Sequence, residues 1–115
     1  MSLQSGPGND VVHDVLTALA DPMRRRILEV LASRGAGTAT TLAAEVPVSR
    51  QAVVKHLAVL DRAGLVVGRR TGREVRYRVR AEALDTTARW MSRLAVEWDL
   101  RLHAIKWIAE EGPDS

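Results

Sequence analysis

Cysteine is absent from the 115 residues. That lack removes disulfides, thiolate metal sites, iron–sulfur clusters and cysteine nucleophiles together, and it agrees with a cytoplasmic location. Aromatic side chains are few: Trp90, Trp98, Trp107 and Tyr77. A core therefore has to be assembled from Leu, Val, Ile and Ala. No apolar run nears the roughly 20 residues of a membrane span, and the N-terminus lacks the apolar region of a secretory signal. The expectation is a soluble chain with no membrane partner. His13, His56 and His103 are the only histidines, none stands in a nucleophile or acid–base motif, and no Gly-rich phosphate loop occurs. An enzyme is not expected, and no cofactor is implied.

What remains is an ordinary globular balance, 46% hydrophobic and 27% charged, in a chain long enough for one domain. Met1–Asn9 reads as a flexible leader ahead of a domain spanning 10–111. The net charge of +3 hides an uneven distribution. From Arg50 to Arg80 there are nine basic and two acidic residues, a local +7, whereas the remainder carries eight basic and twelve acidic residues, −4. One concentrated basic block suggests a polyanionic partner, although a solvated basic face would have the same composition.

Local signals order the chain as helix, helix, helix–turn–helix, hairpin, helix. Asn9 or Asp10 caps a first helix over Val11–Ala20, and Asp21-Pro22 opens a second over Pro22–Ser33, with Asp at the cap and Pro at the first helical position. Arg34–Gly37 reads as a loop. A short helix follows from Thr41 to Glu45, capped by Thr40, and Ser49 caps Arg50–Ala63, which Gly64 terminates. Leu65–Arg70 and Glu74–Arg80 alternate as two strands around Thr71-Gly72-Arg73. A long helix over Asp85–Glu110 closes the chain. The fold class is mainly α with a small β-hairpin, a winged helix-turn-helix with a long C-terminal dimerisation helix.

On a helical wheel Val53, Leu57 and Leu60 share one side of Arg50–Ala63, with Gln51, Lys55, Ala58 and Arg62 opposite and Val54 on the flank. Arg or Lys reads guanine, Gln reads adenine and Val meets a thymine methyl, so this face suits a major groove. The hairpin arginines suit phosphates. The candidate DNA contacts are Ser49, Arg50, Gln51, Val54, Lys55, His56, Arg69, Arg70, Arg73 and Arg76. His56 has two readings, a backbone or phosphate contact and a packed, locally bonded histidine. Arg24, Arg25 and Arg26 point about 100° apart on a helix, so structural pairing and solvation account for at least two of them.

These residues support a family resemblance. Ala18-Leu19-Ala20-Asp21-Pro22-Met23-Arg24-Arg25-Arg26-Ile27-Leu28, Ser49 to Leu57 followed by Leu60 and Ala63-Gly64-Leu65-Val66, and Gly72-Arg73 with Tyr77 resemble the opening, recognition helix and wing of ArsR/SmtB-type winged-helix repressors. The resemblance covers about Val11–Arg80 and implies a DNA-binding repressor. It departs at Pro47, where relatives often carry Gly, and at Val54, where Ser is common. The thiolate pair of the family's metal-sensing segment would fall at about Thr38 and Thr40, both hydroxyls and poor ligands for soft metals. Asp99 and His103, one turn apart, are the sole alternative metal pair, and an exposed helix pair is the better reading.

The last helix carries two apolar stripes. Trp90, Met91, Leu94, Trp98, Leu102, Ile105 and Ile108 form the broad one; Val96, Leu100, Ala104 and Trp107 lie opposite. One stripe is expected to cover the chain's own core and the other to meet a partner. The resemblance likewise implies a two-fold dimer through the first and last helices. The candidate contact is Val12, Leu16, Trp90, Leu94, Trp98, Leu102 and Ile105. Expected partners are double-stranded operator DNA and a second copy of the chain, with room for a small-molecule inducer. The rival reading is a winged-helix protein-interaction module that does not bind DNA; retention on duplex DNA separates the two. With no thiolate available, added Zn²⁺, Ni²⁺, Cd²⁺ or arsenite is expected to leave operator affinity unchanged in a binding titration; a loss of about tenfold that a chelator reverses would contradict this.

Overall fold

A computed structural model describes residues 7–111. Its elements are α1 (Pro7–Ala18), α2 (Pro22–Arg34), β1 (Gly37–Thr38), α3 (Ala39–Ala43), α4 (Arg50–Arg62), β2 (Val66–Thr71), β3 (Glu74–Val79) and α5 (Ala81–Glu111). The helix-rich order with one hairpin matches the expectation. Helix α1 begins at Pro7, so Asn9 and Asp10 lie inside it rather than at its start; the part of the expected leader before Pro7 lies outside the described residues.

Proline and aspartate set the start of α2 as expected. The Asp21 carboxylate accepts from the backbone N–H groups of Met23 at 2.7 Å and Arg24 at 3.2 Å. Just ahead, the carbonyls at and just past the end of α1 are capped from α2. Arg24 Nε donates to the Ala18 carbonyl at 2.6 Å, and an Arg25 guanidinium N–H donates to the Leu19 carbonyl at 2.6 Å. Two members of the arginine triplet thus join consecutive helices rather than reach outward, because the tight turn at Ala20 and Asp21 brings the end of α1 within reach of the first turn of α2.

The expected loop before the third helix is in part a strand. Gly37 pairs with Tyr77 and Thr38 with Arg76, adding a short edge to a three-stranded antiparallel sheet in the order β1-β3-β2. Thr38, not Thr40, is the cap of α3. Its hydroxyl accepts from the Thr41 N–H at 3.2 Å, and the Thr41 hydroxyl accepts from the Thr38 N–H at 2.9 Å, a reciprocal pair that satisfies two donors at once.

The core lies between α1, α2, α3, α4 and the base of the hairpin. Ile27, Leu31, Leu42, Val53, Leu57, Leu60 and Leu65 are fully buried, so the predicted inner side of α4 is the observed one. The hairpin closes through a two-residue turn in which Gly72 takes φ +65° and Arg73 does not take a positive φ, as in turns with Gly at the first central position. Gly68 is required for another reason. A Cβ there would stand 2.7 Å from a Val75 methyl and 2.8 Å from the Tyr77 ring, so its bare backbone gives the ring room to lie across the sheet.

The expectation for the last helix needs correction. Only its beginning covers the core, through Ala83, Leu84 and Thr87. From Met91 to Glu110 every side chain is exposed, on both stripes. Thirty-one residues extend about 46 Å, and the molecule measures 74 × 31 × 21 Å. Its radius of gyration, 19.7 Å, exceeds the roughly 13 Å of a compact chain this size. The helix overhangs the domain, so neither stripe folds back onto its own chain beyond that point.

Asp21 makes the fold sensitive to acid. Partial burial raises its pKa, but the backbone N–H groups of Arg24 and Met23, together with the charges of Arg24 and His56, outweigh this and lower it. A lowered carboxylate pKa stabilises the fold above the ordinary carboxylate range, and that contribution is lost as pH falls through the folded-state value. Asp21→Ala is therefore expected to be less stable than wild type in urea melts at neutral pH, with the gap closing at strongly acid pH. A gap that stays constant down to that pH would contradict the role.

Candidate nucleic-acid interface

Helix α4 is held from inside by Val53, Leu57 and Leu60, which leaves Gln51, Val54, Lys55, Ala58 and Arg62 exposed, with Val54 at 42%. The Ser49 hydroxyl accepts from the Ala52 N–H at 3.1 Å and fixes the first turn, from which Gln51 projects. Arg50 lies at the same end and donates from Nε to the Thr40 hydroxyl at 3.1 Å, tying α4 to α3. Helices α3 and α4 thus form a helix-turn-helix whose second helix offers its N-terminal half to solvent. His56 is half-buried on this helix.

The strand register divides the wing arginines into two groups. Cross-strand partners share a face, as do residues two apart. Arg70 stands opposite Val75 and Gly68 opposite Tyr77, on the side that packs toward the helices. With Arg73 at the tip, Arg70 and Tyr77 border a groove of about 280 Å³ whose other wall carries Arg50 and Val54. Glu74 is the one carboxylate on that lining. Arg69 and Arg76 face each other on the opposite side of the ribbon, where Val67 pairs with Arg78. The four arginines expected to act as one set are therefore two. The alternation of Glu74–Arg80 already puts Arg76 beside Arg78, but the placement of Arg69 and Arg70 requires the register of the neighbouring strand.

Residues 19–69, which include α2, α3 and α4, match the helix-turn-helix domain family. The chain is 30% identical over 80 residues to the transcriptional repressor SdpR of Bacillus subtilis, covering 70% of this chain and 88% of that protein. It is 33% identical over 108 residues to an uncharacterized HTH-type transcriptional regulator of Mycobacterium tuberculosis, covering 86% and 95%. Among solved structures, an ArsR-like transcriptional regulator from Rhodococcus sp. RHA1 superposes with a TM-score of 0.76 at 46% identity, over 87% of this chain and 93% of that one. The chain belongs to the ArsR/SmtB-type winged helix-turn-helix transcriptional regulators. Like others of that family it is a DNA-binding regulator of transcription.

Thr38 and Thr40, the positions that match the metal-sensing thiolates of some family members, both have their hydroxyls engaged within the chain. The Thr38 hydroxyl is engaged as the cap of α3, and the Thr40 hydroxyl accepts from Arg50. On α5, His103 Nδ1 lies 2.9 Å from the carbonyl oxygen of Asp99 and 3.5 Å from its carboxylate, so the pair is turned onto its own helix. These donors do not fit a soft metal.

Gln51 and Lys55 project from the exposed face of α4, and Arg73 stands exposed at the tip of the hairpin. Gln51→Ala or Lys55→Ala is expected to cost about 1–3 kcal/mol on the operator and much less on random DNA. Arg73→Ala should weaken both alike and reduce the slope of log K against log salt by about 1 for each phosphate no longer neutralised. Salt titrations of each variant on operator and scrambled duplexes distinguish these outcomes; equal losses on both DNAs for Gln51→Ala and Lys55→Ala would show that α4 does not read bases.

Proposed function

We propose that this regulator is a cytoplasmic homodimeric repressor, without enzymatic activity, that occupies a two-fold operator. The observation that carries the DNA contact is the shared groove: the exposed start of α4 and the inner arginines of the wing, Arg70 and Arg73, border the same space. Bases would be read by Gln51, Val54 and Lys55, and phosphates held by Ser49, Arg50, Arg70 and Arg73. Repression follows from covering promoter DNA and agrees with the naming of SdpR as a repressor. An inducing small molecule is compatible with this scheme.

The dimer is supported by the overhanging helix. Leu94, Trp98, Leu102 and Ile105 are 37%, 51%, 58% and 60% exposed on one stripe, a contiguous apolar surface of the kind that marks an interface. Leu16 on α1 is 41% exposed and Trp90 partly so, which leaves both available to the same contact; Val12 is only 5% exposed within the single chain and contributes through packing rather than contact. A two-fold pairing places the recognition helices one DNA turn apart, about 34 Å.

Since Leu102 touches little of its own chain, Leu102→Asp should separate the protomers without unfolding them. Sedimentation equilibrium is expected to find wild-type dimer and variant monomer, both helical by circular dichroism, with operator affinity reduced about 10²-fold or more as bivalency disappears. A wild type that is monomeric at micromolar concentration would overturn the dimer.

A further inference from the structure

The reading above uses one face of the hairpin. On the other face Arg69 and Arg76 stand directly across the ladder, and Arg78 follows two residues along β3, opposite Val67. All three are exposed. Like charges placed directly opposite on an antiparallel pair are destabilising. Among the described residues no carboxylate lies within ion-pair distance of any of them. A depression of about 360 Å³ is bordered by all three arginines, with Ala36, Val67, Gly68, Thr71 and Tyr77 completing its lining. Glu74, which the alternation places on this face opposite Thr71, is not part of that lining and pairs with none of the three. Three unneutralised arginines in register, at a cost to the hairpin, are what a polyanion-binding surface requires.

We propose that this outer wing face is a second nucleic-acid site, which holds the phosphate backbone of a duplex other than the one seated against α4, so that the protein bridges two DNA segments. The inference rests on the operator reading, because it assigns the inner face to the first duplex. The two faces of a ribbon point in opposite directions, so DNA lying against Arg70 and Arg73 leaves the outer row directed away from it. A minor groove about 6 Å wide does not admit the whole ribbon; Arg73 at the tip can enter it, whereas Arg78, about 13 Å back along β3 from Glu74, stays outside. Guanidinium groups match phosphate oxygens in bidentate geometry. A DNA strand presents a phosphate about every 3.4 Å along its axis, so a row of this length meets several. Few acidic protein surfaces offer carboxylates at that density, which favours a duplex over an acidic protein.

The test uses the full chain with Arg69→Ala, Arg76→Ala and Arg78→Ala combined, and Arg78→Ala alone. Protein is bound to a short immobilised duplex, and capture of a second, fluorescent duplex is measured beside anisotropy on the first. Wild type is expected to capture the second duplex in a salt-sensitive manner. The triple variant should bind the first duplex within about twofold of wild type and capture at least about tenfold less of the second, with Arg78→Ala between them. Its thermal midpoint should equal or exceed that of wild type, since a like-charged pair has been removed.

A wild type that binds the first duplex but captures no second overturns the proposal. So does a triple variant that captures as much as wild type, because the two recognition helices would then be doing the bridging. Weakened binding of the first duplex, to the extent seen with Arg73→Ala, would return the outer row to the operator site and also overturn it. Displacement of the second duplex by polyglutamate as readily as by polyphosphate of equal charge would assign the face to an acidic protein instead. A wild type that binds no duplex overturns the operator reading and this one together.

Discussion

The burial of Val53, Leu57 and Leu60 along one stripe of α4 determines the direction of everything else on that helix. The three side chains occupy the centre of the core and are fully enclosed; removing any one would leave a cavity costing about 2–5 kcal/mol for Leu→Ala. Because helix residues advance by about 100°, fixing these three inward fixes Gln51, Val54, Lys55 and Ala58 outward. The exposed face is thus specified by residues that are themselves enclosed in the core. The caps act in the same direction. Ser49 sets where the helix starts, and therefore which residues occupy its exposed first turns.

The wing obeys the other periodicity. A strand alternates every residue, so a shift of one position in register would exchange the two arginine faces entirely. Val66 and Val79 pair at the base of the hairpin and pack into the core, with Val66 1% exposed, and this holds the register against such a slip. Gly68 then keeps Tyr77 flat across the inner face. Charge on the wing is consequently sorted by apolar packing at its root rather than by any contact among the arginines themselves.

Much of this is legible in the sequence because it depends on neighbours a few residues apart. Asp21-Pro22, Ser49 and the stripe of α4 each declare themselves within one or two turns. The strand at Gly37–Thr38 does not, since a two-residue strand exists only through its pairing with Tyr77 and Arg76, about 40 residues later; the same pairing places the cap of α3 at Thr38 rather than Thr40. The division of Arg69 from Arg70 likewise needs a partner strand. In α5 the apolar pattern indicates a helix, but periodicity carries no information on where a helix leaves its domain. The candidate site is therefore clearest on α4, coarser on the wing, and least legible at Val12, whose apolar character does not reveal that it is already covered within its own chain.

Thr38 belongs to two structures at once. It ends the strand that pairs with the wing and it caps the helix that braces α4 through Thr40 and Arg50. Tilting the wing away from the recognition helix would have to break either the ladder or the cap, and both are short-range bonds with no slack. Hairpin and recognition helix therefore form a rigid bracket whose internal spacing is set before any DNA arrives. In the proposed dimer, accommodation of operators with differently spaced half-sites would have to come from elsewhere, in the way two such brackets hinge about the long helices that carry them.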